Sequence, residues 1–122
     1  QLYSHRRRLE DARAETEQVL ERLEADLARV QEQASAAEEK AELALPDEEK
    51  ARAYLEVKQD AVDRANTLEE RVALVRRNLR RIEGLRDELA TREAELKALE
   101  AGERLAELEA DIREDLVDAR EE

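Results

Sequence analysis

Apolar and small residues recur along the first third of the chain at Leu9, Ala12, Thr16, Val19, Leu23, Leu27, Val30, Ala34, Ala37, Ala41 and Leu45, in steps of three and four. That spacing places them on one stripe of an α-helix and predicts a coiled-coil seam. One additional four-residue step near Leu23 predicts a local unwinding of the supercoil. A second series runs through Leu55, Val62, Ala65, Leu68, Val72, Val75, Leu79, Ile82, Leu85, Leu89, Leu96 and Leu99. It predicts a second long helix. Gly102 follows, and "AG" reads as a helix stop. Leu105, Leu108, Ile112 and Leu116 then define a last short amphipathic stretch.

Between the two series stands Pro46, the single proline of the chain. Proline lacks an amide proton and clashes inside a helix, but it suits the first helical position. The acids of "PDEEK" would complement the N-terminal end of the helix dipole there. The pattern therefore predicts a turn at Leu45, Pro46 and Asp47, the alternative being a kink in one continuous rod. A turn makes the fold all-α, a long antiparallel coiled-coil hairpin with a short C-terminal helical segment. The predicted parts are a first arm over 1–45, a tip at 46–49, a second arm over 50–101 and an acidic helical segment over 102–122. A hairpin brings Leu20 near Ala73, whereas a rod keeps them far apart. The arms would be roughly 65 Å and 80 Å long. Because the second outruns the first, and the chain begins at Gln1 rather than Met, residues ahead of Gln1 that continue the first arm are expected.

Composition agrees with long helices. Of the 122 residues 46% are charged and 41% apolar, and the only aromatics are two tyrosines. Such a chain lacks the bulky side chains that fill a globular interior. Disorder, the competing reading of a highly charged chain, is opposed by helical periodicity and by the abundance of Ala, Leu, Glu and Arg. The absence of cysteine removes disulfides and thiol chemistry. No run of about 18 apolar residues is available to span a bilayer.

The formal charge is −12, and half of it falls on residues 103–122, with 9 acidic and 3 basic groups. This tail would be repelled by phosphate backbones and anionic headgroups. Nucleic acid is not an expected partner, since no basic surface is interleaved with aromatics. With a tip at 46–47, positions facing one another add to about 93. Arg76, Arg77, Arg80 and Arg81 would then face Glu10, Asp11, Glu15 and Glu17, and Arg6, Arg7 and Arg8 would face Asp87 and Glu88. The same Arg76–Arg81 run is the candidate interaction site for an acidic partner.

Other candidates are weak. His5 stands beside three arginines without a second His or any Cys, so a metal site is not expected. Pairs such as Glu38 with Glu42 follow from the acidity of the chain. Gly84 and Gly102 are isolated and form no phosphate-binding loop. Gly84 reads either as a flexing point or close contact opposite Leu9, or as a tolerated exposed glycine. Ala34, Ala37, Ala41 and Ala44 read either as a subunit contact or as tight packing inside the hairpin. No catalytic, cofactor or metal site is predicted, and an enzyme is the least expected class. The predicted seam includes Leu9, Val19, Leu23, Leu27, Val30, Val62, Leu68, Val72, Val75, Leu79 and Ile82.

"QASAAEEKAELAL" at 33–45, "YLEVKQ" at 54–59 and "LEERVALVRRNLRRIEGLRDELATREAEL" at 68–96 occur in an order that resembles the phage shock protein A family. That family includes the plastid vesicle-inducing protein and is related to the ESCRT-III membrane-remodelling proteins. "EKAELAL" at 39–45 is the most specific piece and looks like the end of the family's first hairpin helix. The resemblance covers roughly residues 9–100. It implies a membrane-stress scaffold, cytoplasmic and peripheral on the inner membrane, that assembles with itself into rods or rings. It further implies contact with anionic membrane through an amphipathic segment absent from this chain, and a possible transcriptional activator as protein partner. The chain departs from the family in its shorter tip and in the weak likeness of residues 103–122. A regulatory coiled-coil module and a generic coiled-coil spacer are the alternative functions.

Overall fold

A computed structural model describes residues 1–121. It contains two helices, α1 (Leu2–Ala44) and α2 (Glu48–Glu121), packed against each other as an antiparallel hairpin. At 1.5 Å per residue they are about 65 Å and 110 Å long. The tip is short. Leu45 leaves the helix with extended backbone, the Leu45–Pro46 peptide bond is cis, and Asp47 donates its backbone N–H to the Ala44 carbonyl at 2.9 Å. Asp47, rather than Pro46, caps the second helix. Its carbonyl accepts from the Ala51 N–H at 3.1 Å, and its Oδ1 accepts from the Lys50 N–H at 3.2 Å. Glu48 and Glu49 fill the first turn, where negative charge offsets the helix dipole. The tip therefore spans 45–47, the three residues expected for the turn, and is shorter than the 46–49 segment expected between the arms. Pro46 sits ahead of the cap, where its missing amide disrupts no helical hydrogen bond.

The seam differs from the expected one in three ways, all traceable to side chains. In α1 the buried or half-buried stripe is Leu9, Ala12, Thr16, Leu20, Leu23, Leu27, Val30, Ala34, Ala37, Ala41 and Ala44. Leu20 takes the place expected for Val19, which flanks the seam and is 45% exposed. With the half-buried Arg13 counted between Leu9 and Thr16, the stripe alternates steps of four and three throughout, so the extra step expected near Leu23 is absent. Leu45, expected to end the seam, turns out into solvent at the tip.

In α2 the heptads are unbroken: Ala51, Tyr54, Lys58, Ala61, Ala65, Leu68, Val72, Val75, Leu79, Ile82, Arg86, Leu89 and Glu93 alternate steps of three and four. Leu55, Leu85, Leu96 and Leu99 are exposed, and Val62 is a half-buried flank. Lys58 explains the misreading at the start of the arm. It occupies a seam position by laying its aliphatic stem along α1 while its ammonium reaches Glu38 at 3.3 Å.

The register is also shifted. Val30, Ala61 and Ala65 form the core cluster, with Leu27, Ala34 and Leu68 packed on it. The two heptad frames match layer for layer when facing positions add to 95, as in Leu27/Leu68, Val30/Ala65 and Ala34/Ala61. The expected value of 93 assumed that both seams meet at the proline. In the structure α1 keeps its seam to Ala44, whereas α2 spends its first turn before Ala51 reaches the interface.

All fully buried residues are Ala or Val: Val30, Ala37, Ala41, Ala51, Ala61, Ala65 and Val72. They lie in the tip-proximal part of the hairpin, where small side chains let the helices approach and give Tyr54 and Lys58 room. Ala34, Ala37, Ala41 and Ala44 are therefore spent on packing within the chain.

A separate departure concerns the glycines. The helix does not stop at Gly102 but continues through it to Glu121, so residues 102–121 extend the second arm without a joint. Gly84 is exposed and lies on the outer face, and a Cβ there would meet nothing within 4 Å. It makes no close contact with Leu9. Gly84→Ala is accordingly expected to raise stability by about 1 kcal/mol, measured by urea unfolding.

Candidate functional site

Function in this molecule has to reside on its surface, because two helices enclose no interior beyond the seam. Four places stand out: the tip, the arginine run, a groove at the open end and the free length of α2.

At the tip, Leu43 is 84% exposed and Leu45 is 60% exposed. Two leucines in water beside the 45–47 turn form a small apolar knob on an otherwise charged hairpin end.

The arginine run divides. Arg76 flanks the seam and reaches Glu24 at 3.3 Å. Arg77, Arg80 and Arg81 occupy outward positions, are exposed, and make no ion pair among the described residues. The expected pairing of all four with Glu10, Asp11, Glu15 and Glu17 is not formed. Glu10 instead meets Arg86 at 3.0 Å. Arg6 reaches beyond Asp87 and Glu88 to Glu93 at 3.2 Å and also lies 5.5 Å from the Tyr3 ring centroid. Among the described residues the inter-helix ion pairs are Arg6–Glu93, Glu10–Arg86, Glu24–Arg76 and Glu38–Lys58. They follow one antiparallel register along the whole of α1. Each is exposed enough to contribute only about 0–1 kcal/mol, so together they select register more than they add stability.

Towards the open end the helices carry a groove of about 980 Å³ whose floor is Leu9, Leu85 and Leu89 and whose rim includes His5, Arg8 and Arg92. It arises because the seam residues there are only half-buried. His5 thus borders a concave apolar surface, which the sequence pattern alone does not reveal. Among the described residues no group of His, Cys, Asp and Glu side chains is arranged to hold a metal ion. No described helix is long and apolar enough to cross a membrane.

The free length of α2 begins where α1 ends. Beyond Glu93 every described side chain up to Arg120 is exposed, including Leu96, Leu99, Leu105, Leu108, Ile112, Leu116 and Val117. Of the predicted seam, Leu9, Leu23, Leu27, Val30, Leu68, Val72, Val75, Leu79 and Ile82 do lie at the interface. Sequence reading missed Leu20, Ala51, Tyr54, Lys58, Ala61, Arg86 and Glu93 as seam positions, and gave Ala44 only within the alanine cluster. Strict seven-residue spacing carried both ways from Ala65 and Leu68 would have found the α2 members.

No family model matches this sequence, and neither do curated proteins or solved structures.

Proposed function

We propose that this chain is the hairpin core of a self-assembling scaffold of the phage shock protein A type, acting peripherally at the cytoplasmic face of the inner membrane. What supports the reading is the combination of a two-layer hairpin with apolar side chains that only other molecules can cover. The exposed leucines at the tip and along the free part of α2 are of this kind. A second support is local. "EKAELA" forms the last turns of α1 and the following Leu45 opens the tip; the resemblance implies this string at the end of the first hairpin helix. In this reading the hairpins assemble through their faces and ends, and membrane contact is made by an amphipathic segment outside residues 1–122.

Vesicle co-sedimentation with electron microscopy tests it. The gene-encoded protein, including any residues ahead of Gln1, is expected to pellet with anionic vesicles and to form rods or rings. The 122-residue chain alone is expected to stay mainly in the supernatant, since its net charge of −12 opposes an anionic surface. Tight, salt-insensitive vesicle binding by the 122-residue chain would contradict the assignment of membrane contact. Failure of the gene-encoded protein both to bind and to polymerise would end the scaffold reading.

One observation favours a second function. Arg77, Arg80 and Arg81 present three guanidinium groups, without an ion pair among the described residues, on the outer face of α2, suited to an acidic surface on a regulatory protein such as a transcriptional activator. A stoichiometric soluble complex that is lost in R77E/R80E/R81E, with no polymers formed, would select that reading.

A further inference from the structure

The free part of α2 carries its own heptad stripe, in a different frame from the hairpin seam. The hairpin frame ends Arg86, Leu89, Glu93, and its continuation falls on Leu96, Glu100, Glu103 and Glu107, which are mostly acidic. Alternately one and two residues beyond the positions of that frame, a second series begins: Ala94, Ala98, Ala101, Leu105, Leu108 and Ile112, in steps of four and three, continued by Asp115 and Ala119. That offset turns the stripe by about 150° around the helix. It therefore faces away from the direction of α1, and nothing in the chain covers it. Leu105, Leu108 and Ile112 are 56%, 54% and 49% exposed.

The charges beside this stripe identify what covers it. The position preceding each of Ala98, Leu105, Ile112 and Ala119 holds, in order, Lys97, Arg104, Asp111 and Asp118. Two cations are followed by two anions at heptad spacing. None of the four makes an ion pair within the chain among the described residues. Such a sequence is complementary to its own reverse. In an antiparallel coiled coil these flanking positions meet their counterparts on the partner helix. Two copies centred between Ala106 and Glu107 would bring Lys97 beside Asp118 and Arg104 beside Asp111, each twice.

The core layers close in the same alignment. Leu105 meets Leu108 at the centre, Ala101 meets Ile112, Ala98 meets Asp115 and Ala94 meets Ala119, so outside the central layer every large or charged core residue faces an alanine. On the opposite flank Glu109 meets Gly102 and Glu95 meets Leu116, with no acid against acid. A parallel arrangement forms only the Arg104–Glu109 pairs and places the two Asp115 side chains in one core layer. The net charge of −6 on residues 103–122 opposes any pairing of two tails. The alignment that sets opposite charges together is therefore the one selected.

We propose that the free segment of α2 is a homodimerisation helix, joining two hairpins tail to tail through an antiparallel coiled coil over residues 94–119. This holds whether or not the chain works at a membrane. For a scaffold it supplies an end-to-end joint, leaving the hairpin faces and tips for other contacts. The dimer would have a maximum dimension of about 175 Å, from two helices of about 110 Å sharing about 45 Å.

Sedimentation equilibrium on the 122-residue chain tests it. Wild type is expected to show reversible dimerisation, to twice 14.1 kDa. R104D sets Asp against Asp111 at two places and is expected to weaken the dimer at least about tenfold. D111R alone is expected to weaken it similarly, and R104D/D111R to recover it to within about threefold. Both positions are exposed and helical, and far-UV circular dichroism should report unchanged helicity in all variants. A monomer at all concentrations up to about 1 mM would overturn the proposal. So would a dimer indifferent to R104D, which would place the contact elsewhere, or a double variant no better than the singles, which would exclude the antiparallel alignment. None of these outcomes bears on vesicle binding, so this test and the test of the scaffold function can fail separately.

Discussion

Ala61→Asp is expected to destabilise the hairpin by about 3–5 kcal/mol, a large share of the roughly 5–15 kcal/mol available to a domain of this size. Ala61 is the most completely buried residue, at 0% exposure, inside the Val30–Ala65 cluster. An aspartate there has no cation within the layer and no space to reach solvent. Either the charge is desolvated without a partner or the helices separate locally. Leu55→Asp is the internal control. Leu55 is the larger and more apolar residue, and it belongs to the seam expected from sequence, yet it is 48% exposed on the flank. Its substitution should change stability by no more than about 0.5 kcal/mol. Urea unfolding followed by far-UV circular dichroism gives both numbers. Equal losses, or a greater loss at Leu55, would mean that the heptad frame running through Ala51, Tyr54, Lys58 and Ala61 is not the one that packs.

The second large effect is expected at the tip. L45A/P46A/D47A removes the residue that a helix cannot accommodate, at about 3 kcal/mol relative to Ala, and the cap that starts α2, at about 1 kcal/mol. Residues 2–121 would then favour one uninterrupted helix. The seams of the two arms still have to be covered, and in a rod only a second chain can cover them. The variant is expected to exchange arms with a partner, α1 of each chain lying on α2 of the other. Chains carrying two labels, diluted with unlabelled chains, should report arms far apart within each molecule while helicity is retained. A variant whose arms stay together would show that seam pairing alone closes the hairpin, and that Pro46 and Asp47 are dispensable for it.

These two substitutions mark what could be read from the sequence and what could not. The helices, the break at the proline and the antiparallel arrangement are written in three–four spacing and in one imino acid, signals that are local and strong. The frame within α2 was hidden because three of its seam positions are Lys58, Arg86 and Glu93. Long charged side chains can lie along an interface and place their charge at its edge, so a search restricted to apolar residues passes over them. In α1, Val19 and Leu20 are adjacent and both apolar, and only the partner helix decides between them. The register missed by two because the first turn of α2 is used before Ala51 reaches the seam. The helix through Gly102 was missed for the opposite reason. A glycine penalty of about 1 kcal/mol is small against the propensity of the surrounding Ala, Leu, Glu and Arg. The arginine run could be found by inspection, but which of its members remain free depended on the register.

The claim on which the functional proposals rest is that one chain folds back on itself at residues 45–47. Because the chain contains no cysteine, Q18C/R77C introduces the only two thiols, both at outward positions on opposite arms. Spin labels there, in a sample diluted with unlabelled protein, measure the separation by pulsed dipolar spectroscopy. A hairpin with helix axes about 8–10 Å apart predicts a distance of about 20–30 Å. A single distribution near 90 Å, the length of the intervening residues as a continuous helix, would contradict the hairpin and with it the building block proposed for assembly.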